Sequence, residues 1–139
     1  MKKHTSQEHA NSSWFTKPST TRLSLPDLAG MDQDQWIDVK HELSAGEQRA
    51  AMARTVHSIR ADGRIEPNLE QVGVAEVLAY LVDWSLRDEQ GKSVPLNESA
   101  LKALRVDAAR AIEDTVRAHV AAVAEAAKKA STGTTSLLV

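Results

Sequence analysis

The most apolar stretch of the chain, VGVAEVLAYLVDW at residues 72–84, limits the available folds because so much apolar surface must be buried. Its aliphatic side chains recur at helical spacing, and this pattern predicts a helix from about Gln71 to Leu86 at the centre of the core. The predicted buried stripe consists of Val74, Val77, Leu78, Leu81 and Val82. A chain of 139 residues has room for one such core, so we expect a single domain.

The flanking sequence predicts further elements around this helix. WIDVKHEL, residues 36–43, alternates apolar and polar side chains and predicts a half-buried strand, and Leu23–Pro26 suits a short edge strand or an extended entry segment. Ser44 and Glu47 have the spacing of a capping box, which predicts a helix start. Met52, Val56 and Ile59 would form the buried stripe of that helix, which Gly63 would end.

Two more helices are predicted towards the C-terminus. Asn97 can cap a short helix over residues 98–104, and Asp107 can cap a long last helix. The sequence therefore predicts a mainly α domain of about four helices, residues 22–130, with a short N-terminal strand or hairpin. The polar segments at residues 1–21 and 131–139 are predicted to be a flexible arm and a flexible tail.

Composition argues against several classes of partner. The formal net charge is −2 and the chain has no cysteine, so neither an attraction to polyanions nor disulfides or thiolate metal sites are expected. No run of about 18 apolar residues is present. We therefore expect no nucleic-acid partner, no membrane partner and a location in the cytoplasm.

Gly91-Lys92-Ser93 resembles the end of a phosphate-binding loop, but that motif requires a glycine where the chain has Leu86. A helix is predicted before it and Val94-Pro95 follows it, so we interpret it as a turn. The histidines lack the spacing of zinc ligands, and no nucleophile motif is present. The sequence therefore predicts a protein without a cofactor or metal that is not an enzyme.

The order of four short motifs is similar to that in tail assembly chaperones and minor tail proteins of long-tailed, siphovirus-type bacteriophages of actinobacteria. These motifs occur at residues 36–40, 43–47, 80–86 and 91–95, and the likeness covers about residues 22–120. The resemblance implies a mainly helical protein in the host cytoplasm that coats the tape measure protein and delivers it, with tail tube subunits, to the growing tail. Such a chaperone is not catalytic, and a homo-oligomer is compatible with it.

An apolar groove for amphipathic helices would suit this role. Tyr80 and Trp84 lie four residues apart in the predicted helix, so they are either core residues or part of a partner surface. The candidate partner-binding residues are Tyr80, Trp84 and Leu86, with Trp36, Trp14 and Phe15 as weaker candidates. Two alternatives are a structural virion component, such as a tail or head-to-tail connector subunit, and a small regulatory protein encoded by the host.

Overall fold

The computed structural model describes residues 13–59, 63, 65–67 and 72–138, and within them the domain is mixed α/β. The strands are β1 Thr20–Ser24, β2 Trp36–Lys40, β3 Val56–Ile59, β4 Ile65–Pro67 and β5 Leu81–Trp84. The helices are α1 Ala45–Ala53, α2 Val72–Tyr80, α3 Glu98–Ala103 and α4 Val106–Leu138. The predicted mainly α class is wrong, because segments assigned to the ends of two helices form strands instead.

The main sheet is antiparallel, with the order β1-β2-β5. Its central strand confirms the alternation seen in the sequence, since Ile37 and Val39 are fully buried while their neighbours are only partly buried. The predicted edge strand is also present as β1. It begins at Thr20, before the predicted Leu23, and it ends at Ser24, before Leu25 and Pro26. This sheet gives the core a flat apolar face on which helices can pack.

The predicted central helix is too long at its C-terminal end. Helix α2 ends at Tyr80, and Leu81 begins β5, which pairs with β2. A short apolar run can form either a helix or a strand, and here the exposed backbone of β2 favours the strand. Leu81 and Trp84 are buried, whereas Val82, predicted to be in the buried stripe, is 49% exposed at an irregularity in the pairing.

The predicted first helix is also shorter than expected. Helix α1 ends at Ala53, and the chain then enters β3, which pairs with β4 in a separate two-stranded sheet. Met52 is 64% exposed rather than part of a buried stripe. Gly63 adopts φ +85° between the two strands, and the Asp62-Gly63 dipeptide, common in hairpin turns, was the overlooked signal.

The caps predicted for two of the helices are confirmed. Ser44 and Glu47 make both hydrogen bonds of the capping box, and Asn97 Oδ1 accepts a hydrogen bond from the Ala100 amide at 2.8 Å. The last helix begins at Val106, one residue before its predicted cap. It continues to Leu138 across most of the predicted tail, whose flexibility stays a prediction, and residues 1–12 of the predicted arm lie outside the described residues.

The core lies between the main sheet and helices α2, α3 and α4. Its buried members come from all of these elements, so the sheet and the helices depend on each other for burial. They are Ile37, Val39, Val77, Leu81, Trp84, Leu101, Ile112 and Val116.

A charged contact joins β2 to the start of α1. The Lys40 ammonium group and the backbone of Ser44 donate hydrogen bonds to the Glu47 carboxylate, and they lower the pKa of Glu47 to about 2 from 4.5. A carboxyl group whose pKa falls on folding stabilises the fold above its unfolded pKa, and the contribution disappears as the pH drops through the folded value. This contribution should therefore be lost between about pH 4.5 and pH 2.

We expect Glu47→Gln to be less stable than the wild type at pH 7, with a difference that shrinks as the pH falls towards 2. Urea titrations at several pH values would measure it. Lys40→Met removes the main partner and should reduce the same pH dependence. A stability difference that stays constant from pH 7 to pH 2 would contradict this explanation.

Candidate functional site

An open apolar groove of about 440 Å³ lies at the end of the sheet where β1 finishes. Four segments line it: the connection from β1 to β2, the hairpin that follows β5, helix α3 and the first turns of α4. Its large aliphatic side chains are Leu25, Leu28, Met31, Leu86, Val94, Leu104 and Ile112. A concave apolar surface of this size is the usual form of a binding site, so the groove is the candidate functional site.

The connection between β1 and β2 forms one wall and is held by hydrogen bonds. The Leu25 amide donates to the Gln35 carbonyl at 2.9 Å, and the Met31 amide donates to the Leu28 carbonyl at 3.1 Å. Gly30 adopts φ +77°, which lets the chain turn between Leu28 and Met31. These contacts place the side chains of Leu28 and Met31 on the groove, although both residues belong to a segment that is neither helix nor strand.

The opposite wall is the hairpin that contains Gly91-Lys92-Ser93. The Asp88 amide donates to the Lys92 carbonyl at 2.8 Å, the Gly91 amide donates to the Asp88 carbonyl at 2.9 Å, and Gly91 adopts φ +77°. Arg87 and Ser93 form a bridge, and the Val94 amide donates to the Leu86 carbonyl. The interpretation of this segment as a turn is confirmed, and its function here is to hold Leu86 and Val94 side by side.

Charged side chains surround the apolar interior. The rim carries Asp32, Asp88 and Glu89 together with Arg87 and Arg105. Protein interfaces commonly combine an apolar centre with a polar rim. This arrangement suits a protein or peptide ligand better than a purely hydrophobic small molecule.

Trp84 and Leu86 lie at the groove, but with different exposure. Trp84 is 6% exposed and its Nε1 donates a hydrogen bond to the Val94 carbonyl at 2.7 Å, so the ring belongs to the core beneath the groove. Leu86 is half-buried and reaches both the groove and the core. Of the two interpretations of Trp84, the structure favours a core residue.

Tyr80 lies away from the groove, next to His119. Their rings are 6.2 Å apart and nearly perpendicular, and Nε2 of His119 donates a hydrogen bond to the Lys40 carbonyl at 3.0 Å. Burial, and then the negative charges of Glu76 and Glu42, raise the pKa of Tyr80 above its ordinary value. The phenol is therefore protonated at neutral pH and contributes to packing between α2 and α4.

Trp36 lies on the outer face of the sheet. The Arg22 guanidinium group is 3.6 Å from the centre of its ring, a cation–π contact, and also pairs with Asp38 at 2.8 Å. This pairing lowers the pKa of Asp38 and raises that of Arg22. Trp36 is thus already covered on one side by a side chain of its own sheet.

Trp14 and Phe15 precede β1 and are 98% and 84% exposed. The structure therefore places the six predicted residues in four locations, and only Trp84 and Leu86 adjoin the groove. Leu28 and Met31 were missed by sequence reasoning. Three large apolar residues at positions 25, 28 and 31, in a segment with Pro26 and Gly30 that forms neither helix nor strand, were the available signal.

Comparison with known proteins gave no match to a protein-family model, a curated protein or a solved structure. Among the described residues, no cluster of three or more histidine or acidic side chains is arranged to hold a metal ion. No helix in this same part of the chain is both long and apolar enough to cross a membrane. The candidate site is therefore characterised by its own geometry.

Proposed function

We propose that this protein is a tail assembly chaperone of a long-tailed bacteriophage, which binds helices of the tape measure protein in the apolar groove and promotes tail tube assembly without catalysing a reaction. The observation that carries the proposal is the groove, which is apolar inside and charged at its rim. The motif order described above supplies the particular partner. The groove alone supports a binding domain for an amphipathic segment.

An amphipathic helix presents apolar side chains at intervals of three and four residues along one face. Leu28, Met31 and Leu86 come from opposite walls of the groove and can contact such side chains from both sides. The rim residues, which carry both signs of charge, would meet the polar edges of the helix. Binding of this kind buries apolar surface without requiring one fixed client sequence.

A groove of this size accommodates only a few side chains of a long helix. Each contact is therefore expected to be weak, and many copies along one tape measure protein would be needed to cover it. Covering a client at many points keeps its apolar surface out of water while each copy remains free to dissociate. This mode suits a chaperone whose client must later enter a growing tail.

Replacing both Leu28 and Met31 by glutamate tests the proposal. Both side chains line the groove, yet neither belongs to the core cluster, so the variant should fold. Two carboxylates in the groove would be desolvated by an apolar client, which makes binding unfavourable. When the tape measure protein of the same genome is co-expressed, we expect the wild type to increase its soluble fraction and the variant to lose at least about nine-tenths of that increase.

Met52→Glu is the matched control, because Met52 is an exposed methionine on α1 outside the groove. It should support the client as the wild type does, and circular dichroism should show that all variants are folded. Equal solubility of the client with the wild type and the groove variant would overturn the role of the groove. If the wild type never associates with the client and is found in purified particles, the chain is a structural virion component instead.

A further inference from the structure

Trp14 and Phe15 form an adjacent aromatic pair with almost no cover from their own domain. Their side chains are 98% and 84% exposed, more than any other large apolar side chain whose exposure the structure describes. Removing two aromatic rings from water is strongly favourable, and exposed aromatic pairs are typical anchors of protein interfaces. The pair is therefore suited to a concave apolar surface on a partner.

The pair lies at the opposite end of the sheet from its own groove. On the N-terminal side of Thr20, the chain lies next to the C-terminal end of β2. The His41 amide donates to the Ser19 carbonyl at 3.0 Å, and residues 16–19 lie beside Lys40 and Glu42. The groove begins after Ser24, where the Leu25 amide donates to the Gln35 carbonyl. Strand β1, about 17 Å long at 3.4 Å per residue, therefore separates the two.

In this arrangement the pair does not contact its own groove. The chain from Phe15 to Thr20, five residue steps, spans at most about 18 Å when fully extended. An arm that reversed direction along the free edge of β1 would bring Phe15 level with Leu25, at the start of the groove, and would have to leave its present course beside Lys40 and Glu42. A groove on a second molecule has no such restriction.

We propose that the Trp14–Phe15 pair of one copy binds in the apolar groove of a second copy. The groove supplies apolar walls at Leu28, Met31 and Leu86. Lys17, two residues after the pair, would approach a rim with three carboxylates and two guanidinium groups. The inference shares the groove with the proposed function, but it requires no phage client.

Reciprocal exchange of the two arms gives a closed dimer in which each copy donates one pair and accepts one. If the arms connect different neighbours, the same contact produces an open chain of copies. Both arrangements bury the aromatic pair and fill the groove. They make self-association depend on two separate surfaces, which can be altered one at a time.

Sedimentation velocity of the full chain over a range of concentrations tests this inference. We expect the wild type to associate, and Trp14→Ala/Phe15→Ala to associate at least roughly 30-fold more weakly, as is typical when central aromatic anchors are truncated. Leu28→Glu/Met31→Glu should weaken association equally. Met52→Glu, outside both surfaces, should behave as the wild type.

Mixing the two defective variants is the decisive measurement. One retains its groove and the other retains its arm, so the mixture should form a heterodimer although each variant alone stays monomeric. A monomeric wild type, or an arm variant that associates like the wild type, would overturn the inference. If the arm variant associates as strongly as the wild type, the inference about the arm is wrong. The co-expression experiment with the tape measure protein still tests the proposed function, so the two proposals can be refuted independently.

Discussion

Replacing Leu81 by aspartate should unfold the domain, whereas the same replacement at Val82 should change its stability by no more than about 1 kcal/mol. Leu81 is buried in a cluster of apolar side chains, so a carboxylate at this position would be desolvated. We expect a loss of more than about 4 kcal/mol. That is a large part of the 5–15 kcal/mol by which domains are usually stable.

Val82→Asp should have little effect on stability, because Val82 is 49% exposed at the irregular pairing of β5 with β2. In a continuous helix from Gln71 to Leu86, both residues would belong to the buried stripe and both substitutions would unfold the chain. Thermal and urea unfolding of the two variants therefore distinguish a strand from a helix. Similar losses at both positions would contradict strand β5.

Trp84→Ala should lower the free energy of unfolding by about 3–5 kcal/mol, the usual cost of truncating a large aromatic side chain in a core. The substitution removes the ring beneath the groove and leaves the Val94 carbonyl without the donor that lies 2.7 Å away. Urea titration followed by circular dichroism would measure the change. Tryptophan fluorescence is less suitable, because the substitution removes one of the three fluorophores.

Trp14→Ala is the matched control, since it removes the same side chain from a position that is 98% exposed. We expect a change within about 0.5 kcal/mol, measured where the protein is monomeric. Trp84→Phe keeps an aromatic ring but loses the hydrogen bond and should fall between the two. A Trp84→Ala variant as stable as Trp14→Ala would show that Trp84 is not a core residue.

The sequence located helix starts better than helix ends. Ser44 and Asn97 carry their capping signals in side chains that bond within three residues, so local sequence specifies these starts. The end of α2 at Tyr80 has no local signal. It depends on β2, whose nearest paired residue, Val39, lies far away in the sequence, and helical periodicity cannot report such a partner.

The same reasoning explains the partial success at the groove. Leu86 was selected from the sequence, but the surface it helps to form also needs Leu28 and Met31, which approach it because β2 pairs with both β1 and β5. Tyr80 and Trp84 were expected to share a helix face, and the change from helix to strand between them separates their side chains. Pairing between distant segments, rather than local propensity, builds this site.

The positions of β2 and α4 along the chain also set the order in which the core can form during synthesis. The β1–β2 hairpin can form once Lys40 has left the ribosome, but Ile37 and Val39 share their core with Ile112 and Val116 near the other end of the chain. At about 5–20 residues per second, a ribosome needs roughly 4–15 s to add the residues between them. During that interval the apolar face of the nascent hairpin lacks its permanent cover, so the arrival of α4 completes folding.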